Sequence, residues 1–360
     1  MKTCLVLGYI NKNLGDDLFF RILFKRYTNI KFYFYPPSEF LTDYKNIFKK
    51  NKNVIFYDKE EYYKKIREEI PDEKIPINLF PMICEKAKEV DSMIIIGGSL
   101  FIQNPEWKKD DRFILKDLIG NKPSFIVGCN FGPGDKEFYE YYKEWFKKFD
   151  DVCFRDKISF KLFKKLDNTR RADDIVLIGS EKRLLLSRRN KRCIGISIID
   201  ITNKKNLKDY KEDYFDFLRN TINFFQKDGY KINLFSFCEK EGDLKAINEL
   251  LETIDNKTNI NVINYDNNID NFLFIFQQCE YIVSTRFHAA ILALKYKQSF
   301  IPLVYSEKTK NFLKDVDGRI KTYDIKRIKD VKIEKVYFNK VIRRYNAEKQ
   351  FEIIDKYLKG

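Results

Sequence analysis

The stretch EYIVSTRFHAAILALKYKQ (280 to 298) holds the only histidine of the chain, His288, two positions after Arg286. An imidazole exchanges a proton near neutral pH, and a guanidinium holds carboxylates and phosphates through a planar fork of donors. The apolar YIVS reads as a strand and TRFHAAILAL as a helix, so Ser284 or Thr285 would cap the helix and both side chains would lie in its first turn. A helix start presents N–H groups and the positive end of the dipole to anions. Together these features describe an anion site with a proton carrier beside it. A lone histidine is more often structural, and it is the arginine and the position after a strand that favour chemistry here.

Four other strand ends carry unusual residues. In GYINKNLGDDLF (8 to 19) glycines flank an Asn-rich turn, and Asp16 or Asp17 would cap the helix that follows. The seven-residue glycine spacing excludes the GxGxxG dinucleotide fingerprint. An apolar run in IIIGGSLFIQ meets Gly97, Gly98 and Ser99, where backbone N–H groups can face an anion or a sugar. In VGCNFGPGD, Gly132, Pro133 and Gly134 form a stiff turn after a strand, which taken alone reads first as a tight connection. DVCFRDKIS ends a strand on Arg155, followed by Asp156; Arg155 either faces a ligand or pairs structurally with Asp156.

Chemistry at strand ends implies parallel sheets, because open α/β sheets bind ligands beyond the carboxyl ends of their strands. Short apolar runs alternate with longer amphipathic ones from TCLVLGY (3 to 9) to DVCFRD (151 to 156), and the pattern restarts at RCIGISII (192 to 199). The expectation is an N-terminal α/β lobe over 1–180, a linker over 181–192, a C-terminal α/β lobe over 193–338 and a C-terminal helix over 339–360. A chain of 360 residues exceeds the size at which one core stops growing, which agrees with two units.

The composition, 44% hydrophobic and 16% aromatic, excludes general disorder. The 68 Lys and Arg against 53 Asp and Glu give a formal charge of +15, which attracts anionic ligands or an acidic membrane surface. The lysines are scattered rather than clustered, so nucleic acid is not expected as a partner. Seven cysteines without a CxxC pair read as buried reduced thiols, with no metal site, and suit a cytoplasmic protein. The first residues turn polar too soon for a signal peptide, and apolar runs fall short of the roughly 20 residues of a membrane span.

As a set, NKNLGDDL (11 to 18), IIIGGSLF (94 to 101), NFGPGD (130 to 135), CFRD (153 to 156) and STRFHAAILAL (284 to 294) resemble, in order, the motifs of the polysaccharide pyruvyl transferase family. LFSFCEKEGD (234 to 243) and YSEKTKNFLKDV (305 to 316) extend the likeness, which spans roughly residues 3 to 316. The chain departs from the family pattern at IGGS, at Cys129-Asn130 and at Phe287.

The resemblance implies an α/β protein of two Rossmann-like lobes, similar to the GT-B fold, with a cleft between the lobes and a C-terminal helix returning to the first. It implies transfer of pyruvate from phosphoenolpyruvate, a co-substrate, onto two hydroxyls of a sugar in a glycan or lipid-linked saccharide, with no other cofactor and no metal. Arg155 and Arg286, with Ser284 and Thr285, would bind the donor, and His288 would be the general acid or base. Asp16 would deprotonate a hydroxyl, and Asn13, Gly15, Asp17, Gly97, Gly98, Ser99, Asn130 and Gly132 would bind the acceptor. A lipid-linked acceptor would bring the basic protein to the inner membrane face as a peripheral contact. Two rival readings are a GT-B glycosyltransferase or epimerase using a nucleotide sugar, and a non-catalytic binder of polyanions.

Overall fold

The computed structural model describes residues 1–56, 64, 80–179, 192–202, 204 and 206–359. The chain forms two compact units. The first comprises Met1–Ile10, Asp16–Ile175 and Asn346–Gly360, and the second comprises Asn11–Gly15 and Val176–Tyr345. The proposed linker, apart from Arg192, lies outside the described residues.

In the first unit seven parallel strands are described: β1 (Thr3–Leu7), β2 (Lys31–Phe34), β3 (Val54–Phe56), β4 (Ser92–Ile96), β5 (Ser124–Cys129), β6 (Asp151–Phe154) and β7 (Thr169–Arg171). They lie in the order β3-β2-β1-β4-β5-β6-β7. Helices α1 (Leu14–Arg26), α2 (Leu41–Ile47), α3 (Phe80–Glu89), α4 (Asp111–Ile119), α5 (Lys136–Phe146) and α6 (Lys157–Phe163) accompany them. Every residue of β4 and β5 is buried, as a parallel sheet covered on both faces requires. The order reverses between β1 and β4, so the connections leaving these two strands diverge and open a crevice. On one side the core is aromatic: Phe101, Phe131, Tyr142, Trp145, Phe146 and Phe163 pack together around α5. Each such ring contributes roughly 1.5–3 kcal/mol by leaving water.

The second unit repeats the plan with β8 (Cys193–Ser197), β9 (Lys231–Ser236), β10 (Ile260–Asn264), β11 (Tyr281–Ser284), β12 (Ser299–Val304) and β13 (Tyr323–Asp324). Their order is β10-β9-β8-β11-β12-β13, again all parallel, with the reversal between β8 and β11. Its helices are α7 (Lys211–Lys227), α8 (Asp243–Glu252), α9 (Ile269–Gln278), α10 (Phe287–Lys295) and α11 (Glu307–Val316). Both units are therefore Rossmann-like, as expected from the alternation of runs.

The C-terminal helix is shorter than the expected 339–360. A 3-10 turn at Ala347–Phe351 leads into α12 (Glu352–Leu358), whereas Asn339 is bridged to Phe300 at β12, so its backbone is already committed. The segment Asn346–Gly360 belongs to the first unit. Buried Gln350 explains part of that return: its amide oxygen accepts from Gly128 N–H at 2.9 Å, and its nitrogen donates to the carbonyls of Ala172 and Asp173 at 3.2 Å each. Gly128 has φ +74° at a register shift of β5, where the ladder leaves that N–H to a side chain.

No helix among the described residues is long and apolar enough to cross a membrane. All seven cysteines are unpaired thiols; six are buried and Cys84 is half-buried.

Candidate active site

In the second unit β11 ends at Ser284 and α10 begins at Phe287, so Arg286 takes the N-cap position, with an extended backbone (φ −71°, ψ 136°). Neither expected cap is used as one. The Ser284 hydroxyl turns to the Ile301 carbonyl at 3.4 Å, and the Thr285 hydroxyl pairs with the Tyr214 phenol at 3.0 Å. The turn is instead held by Ser197 at the end of β8, whose Oγ accepts from the N–H groups of Thr285 at 2.9 Å and Arg286 at 3.1 Å. Strand pairing explains this, because Ser197 lies beside Ser284 in the register of β8 with β11.

Arg286 is almost buried, with 8% exposure, and folds over α8. Its Nε donates to Asp243 Oδ2 at 2.8 Å, its Nη2 to Asp243 Oδ1, and its Nη1 to Glu241 Oε2 at 2.5 Å. Asp243 is fixed in turn by the N–H groups of Phe237 and Cys238, at 3.0 and 3.1 Å. Burial pulls Arg286 towards its neutral form, but the two carboxylates outweigh it and hold its pKa well above the ordinary value. Burial would raise Glu241, yet the charge and hydrogen bond of Arg286 outweigh it and lower its pKa. The guanidinium thus meets any ligand already matched by two carboxylates.

Asn13 and Gly15 belong to this same unit. Asn13 caps α1, its Oδ1 accepting from Gly15 N–H at 3.0 Å, while its Nδ2 donates to Glu241 at 3.2 Å. The cap therefore falls on Asn13 and not on Asp16 or Asp17, because α1 starts one turn earlier than expected. Leu14 N–H donates to the Phe237 carbonyl at 3.1 Å. Gly15 has an ordinary helical place for a steric reason: a Cβ there would lie 1.8 Å from Nδ1 of His288. The half-buried imidazole sits on bare backbone that only glycine provides. Asn13, Gly15, Glu241, Asp243, Arg286 and His288 thus form one constellation; Glu241 and Asp243 within it, and Ser197 and Tyr214, which hold the turn before α10, were not singled out from sequence. The signal available was that Glu241 and Asp243 fall in the LFSFCEKEGD stretch.

The remaining predicted residues lie in the first unit. Arg155, expected to hold an anion, is 2% exposed. Its Nη1 donates to Asp174 at 2.8 Å and its Nη2 to Asn130 at 2.9 Å, while Asp156, the suggested partner, caps α6 by accepting from Ser159 N–H at 2.8 Å. Gly98 makes room for this arginine, since a Cβ there would lie 2.4 Å from Nη2. Asn130 N–H donates to the Gly98 carbonyl at 2.9 Å, so Gly98, Asn130 and Arg155 brace one another inside the unit. Gly97 (φ +150°) and Gly132 (φ +88°, before a cis proline) shape the two loops, and Ser99 is exposed. Asp17, expected to bind the acceptor, is fully buried and accepts from the Tyr44 hydroxyl at 2.9 Å; Asp16 is 9% exposed. Burial of Asp17 beneath Tyr44 corrects its assignment as an acceptor contact.

The family model for polysaccharide pyruvyl transferase matches residues 13–307. Among solved structures, the chain is similar to S. aureus MnaA with UDP (11% identity over 100% of this chain and 97% of that one, TM-score 0.57). It is similar also to Neisseria meningitidis UDP-GlcNAc 2-epimerase bound to UDP-GlcNAc (10% identity, both chains covered 100%, TM-score 0.57). A third is a mutant of S. aureus TarM in complex with Fondaparinux, alpha-GlcNAc-glycerol and UDP (12% identity over 99% of this chain and 97% of that one, TM-score 0.53). At these identities the structural likeness establishes the fold, that of GT-B-like proteins with two Rossmann-like lobes.

Proposed function

Since this chain belongs to the polysaccharide pyruvyl transferase family, we propose that it moves pyruvate from phosphoenolpyruvate onto two hydroxyls of one sugar, in a glycan or a lipid-linked saccharide, closing a cyclic ketal. The enol carbon forms two C–O bonds to the sugar and loses its bond to the phosphate oxygen. One hydroxyl proton ends on the methylene carbon, which becomes a methyl group, and the other leaves with the phosphate. The reaction needs a residue that passes a proton, and His288 fills that role. The observation that carries this reading is the seat of the only histidine, at the start of α10 and against Gly15, inside the matched segment.

The donor's anionic groups would be taken by the α10 N-terminus and Arg286, with Ser197 holding the turn in shape. Arg155, paired to Asp174 and Asn130, serves better as a brace for the Gly98 loop than as a donor ligand. Calorimetric titration of phosphoenolpyruvate tests the assignment. Binding is expected in the native chain, is weakened in Arg286→Ala and is kept in His288→Ala, which forms no ketal. An active His288→Ala enzyme would remove the histidine from the mechanism. Binding of a uridine nucleotide, as in the structurally similar proteins, with no response to phosphoenolpyruvate would favour a nucleotide-sugar reaction instead.

A further inference from the structure

The first unit contains a cavity of ≈ 390 Å³ at the reversal of its sheet order. It is lined after β1 by Gly8 and Tyr9, after β4 by Ser99 and Leu100, and from the sides by Tyr35, Ile83 and Asp111. All of these residues belong to the first unit. The volume lies within the roughly 300–1,000 Å³ of small-molecule sites. Of the residues expected to bind the acceptor, only Ser99 lines it.

The lining specifies the chemistry of an occupant. Its cation is Arg112, whose Nε and Nη2 donate to Asp110 and whose Nη2 also reaches the Leu100 carbonyl at 2.9 Å. That guanidinium is internally neutralised, and among the described residues of the wall the other charge is the exposed carboxylate of Asp111. Phosphate and carboxylate groups are therefore disfavoured. Tyr9, 44% exposed, presents an aromatic face, and Tyr35 with Ile83 supplies apolar surface. An aromatic platform, a carboxylate acceptor and a hydroxyl fit a neutral polyhydroxylated ring, whose C–H face packs on the tyrosine while adjacent hydroxyls donate to the carboxylate.

We propose that this cavity is the subsite for the uncharged sugar ring of the acceptor, with Tyr9 as its stacking platform and Asp111 as the residue that orients its hydroxyls. Calling that sugar the acceptor rests on the pyruvyl transfer reading, but sugar binding at this place can be measured without the donor. Saturation-transfer NMR with a panel of uncharged methyl hexopyranosides and methyl N-acetylhexosaminides is the test. At least one glycoside is expected to bind the native chain. Tyr9→Ala should weaken it about 2- to 10-fold, the scale of an aromatic contact, and Asp111→Asn about 10-fold, the scale of a charge-assisted hydrogen bond. Ile83→Trp, which fills the cavity, should abolish binding, with circular dichroism showing that the variants remain folded. Absence of binding by every glycoside, or equal binding by all three variants, overturns the proposal, as does displacement of the glycoside from this cavity by inorganic phosphate. Loss of phosphoenolpyruvate binding with glycoside binding intact would count against the donor assignment and leave this subsite standing.

Discussion

His288 is placed by a residue that has no side chain. Replacing Gly15 by alanine inserts a methyl group 1.8 Å from Nδ1, and because the ring is half-buried it turns away instead of unfolding α1. Turnover in Gly15→Ala should then fall about 10²-fold or more, the weight of a positioned proton carrier, with phosphoenolpyruvate affinity nearly unchanged; steady-state kinetics beside calorimetry separates the two. Native turnover would show that the seat is dispensable. The carboxylates around Arg286 make an opposite prediction. Glu241 would stand beside the incoming anion, and it is the less buried of the two, its side chain 22% exposed against 0% for Asp243. Glu241→Gln removes one repulsive charge and should tighten phosphoenolpyruvate about tenfold, the effect of ~1.4 kcal/mol; unchanged affinity would mean that the anion does not meet this pair.

At the level of elements, α12 is tied to α1 by Asp355, which accepts from Arg26 Nε at 3.0 Å and Nη2 at 2.6 Å and from the Tyr27 hydroxyl at 2.7 Å. Burial alone would raise this carboxyl, but Arg26, Tyr27 and Lys359 outweigh it and lower its pKa from 3.8 to about 2. A depressed carboxylate stabilises the folded form above its unfolded pKa, and that contribution is lost as pH falls through the folded value. The difference in urea midpoint between the native chain and Asp355→Asn should therefore be complete above 3.8 and gone near about 2. A difference that persists at the lower end would assign the stability to packing. The alternation of runs revealed both sheets, since fully buried strands such as β4 are written as unbroken apolar stretches. It could not reveal β7 or β13, three and two residues long, which rest on pairing with a neighbour and carry no apolar run. The His288 turn was legible because its residues are contiguous. Ser197, Asp243 and Gln350 were not, because their partners are set by strand register and chain return.

For the whole molecule, the division of the chain predicts where damage stays local. A chain ended at Tyr345 loses Asn346–Gly360 from the first unit, including the Gln350 contacts at β5, and nothing from the second. Amide exchange should accelerate in β5, β6 and β7 and stay as it was in β8, β9 and β11; uniform acceleration would mean that the two units unfold as one. The pentapeptide Asn11–Gly15 inverts that logic, because it lies in the second unit while the chain on either side of it lies in the first. On the ribosome these five residues precede Phe237, Glu241 and His288, which they meet, by the whole of Asp16–Ile175. The seat of the histidine thus waits, finished, for the histidine, and a gene fragment encoding Val176–Tyr345 alone would yield a second unit that carries His288 without the backbone that aims it.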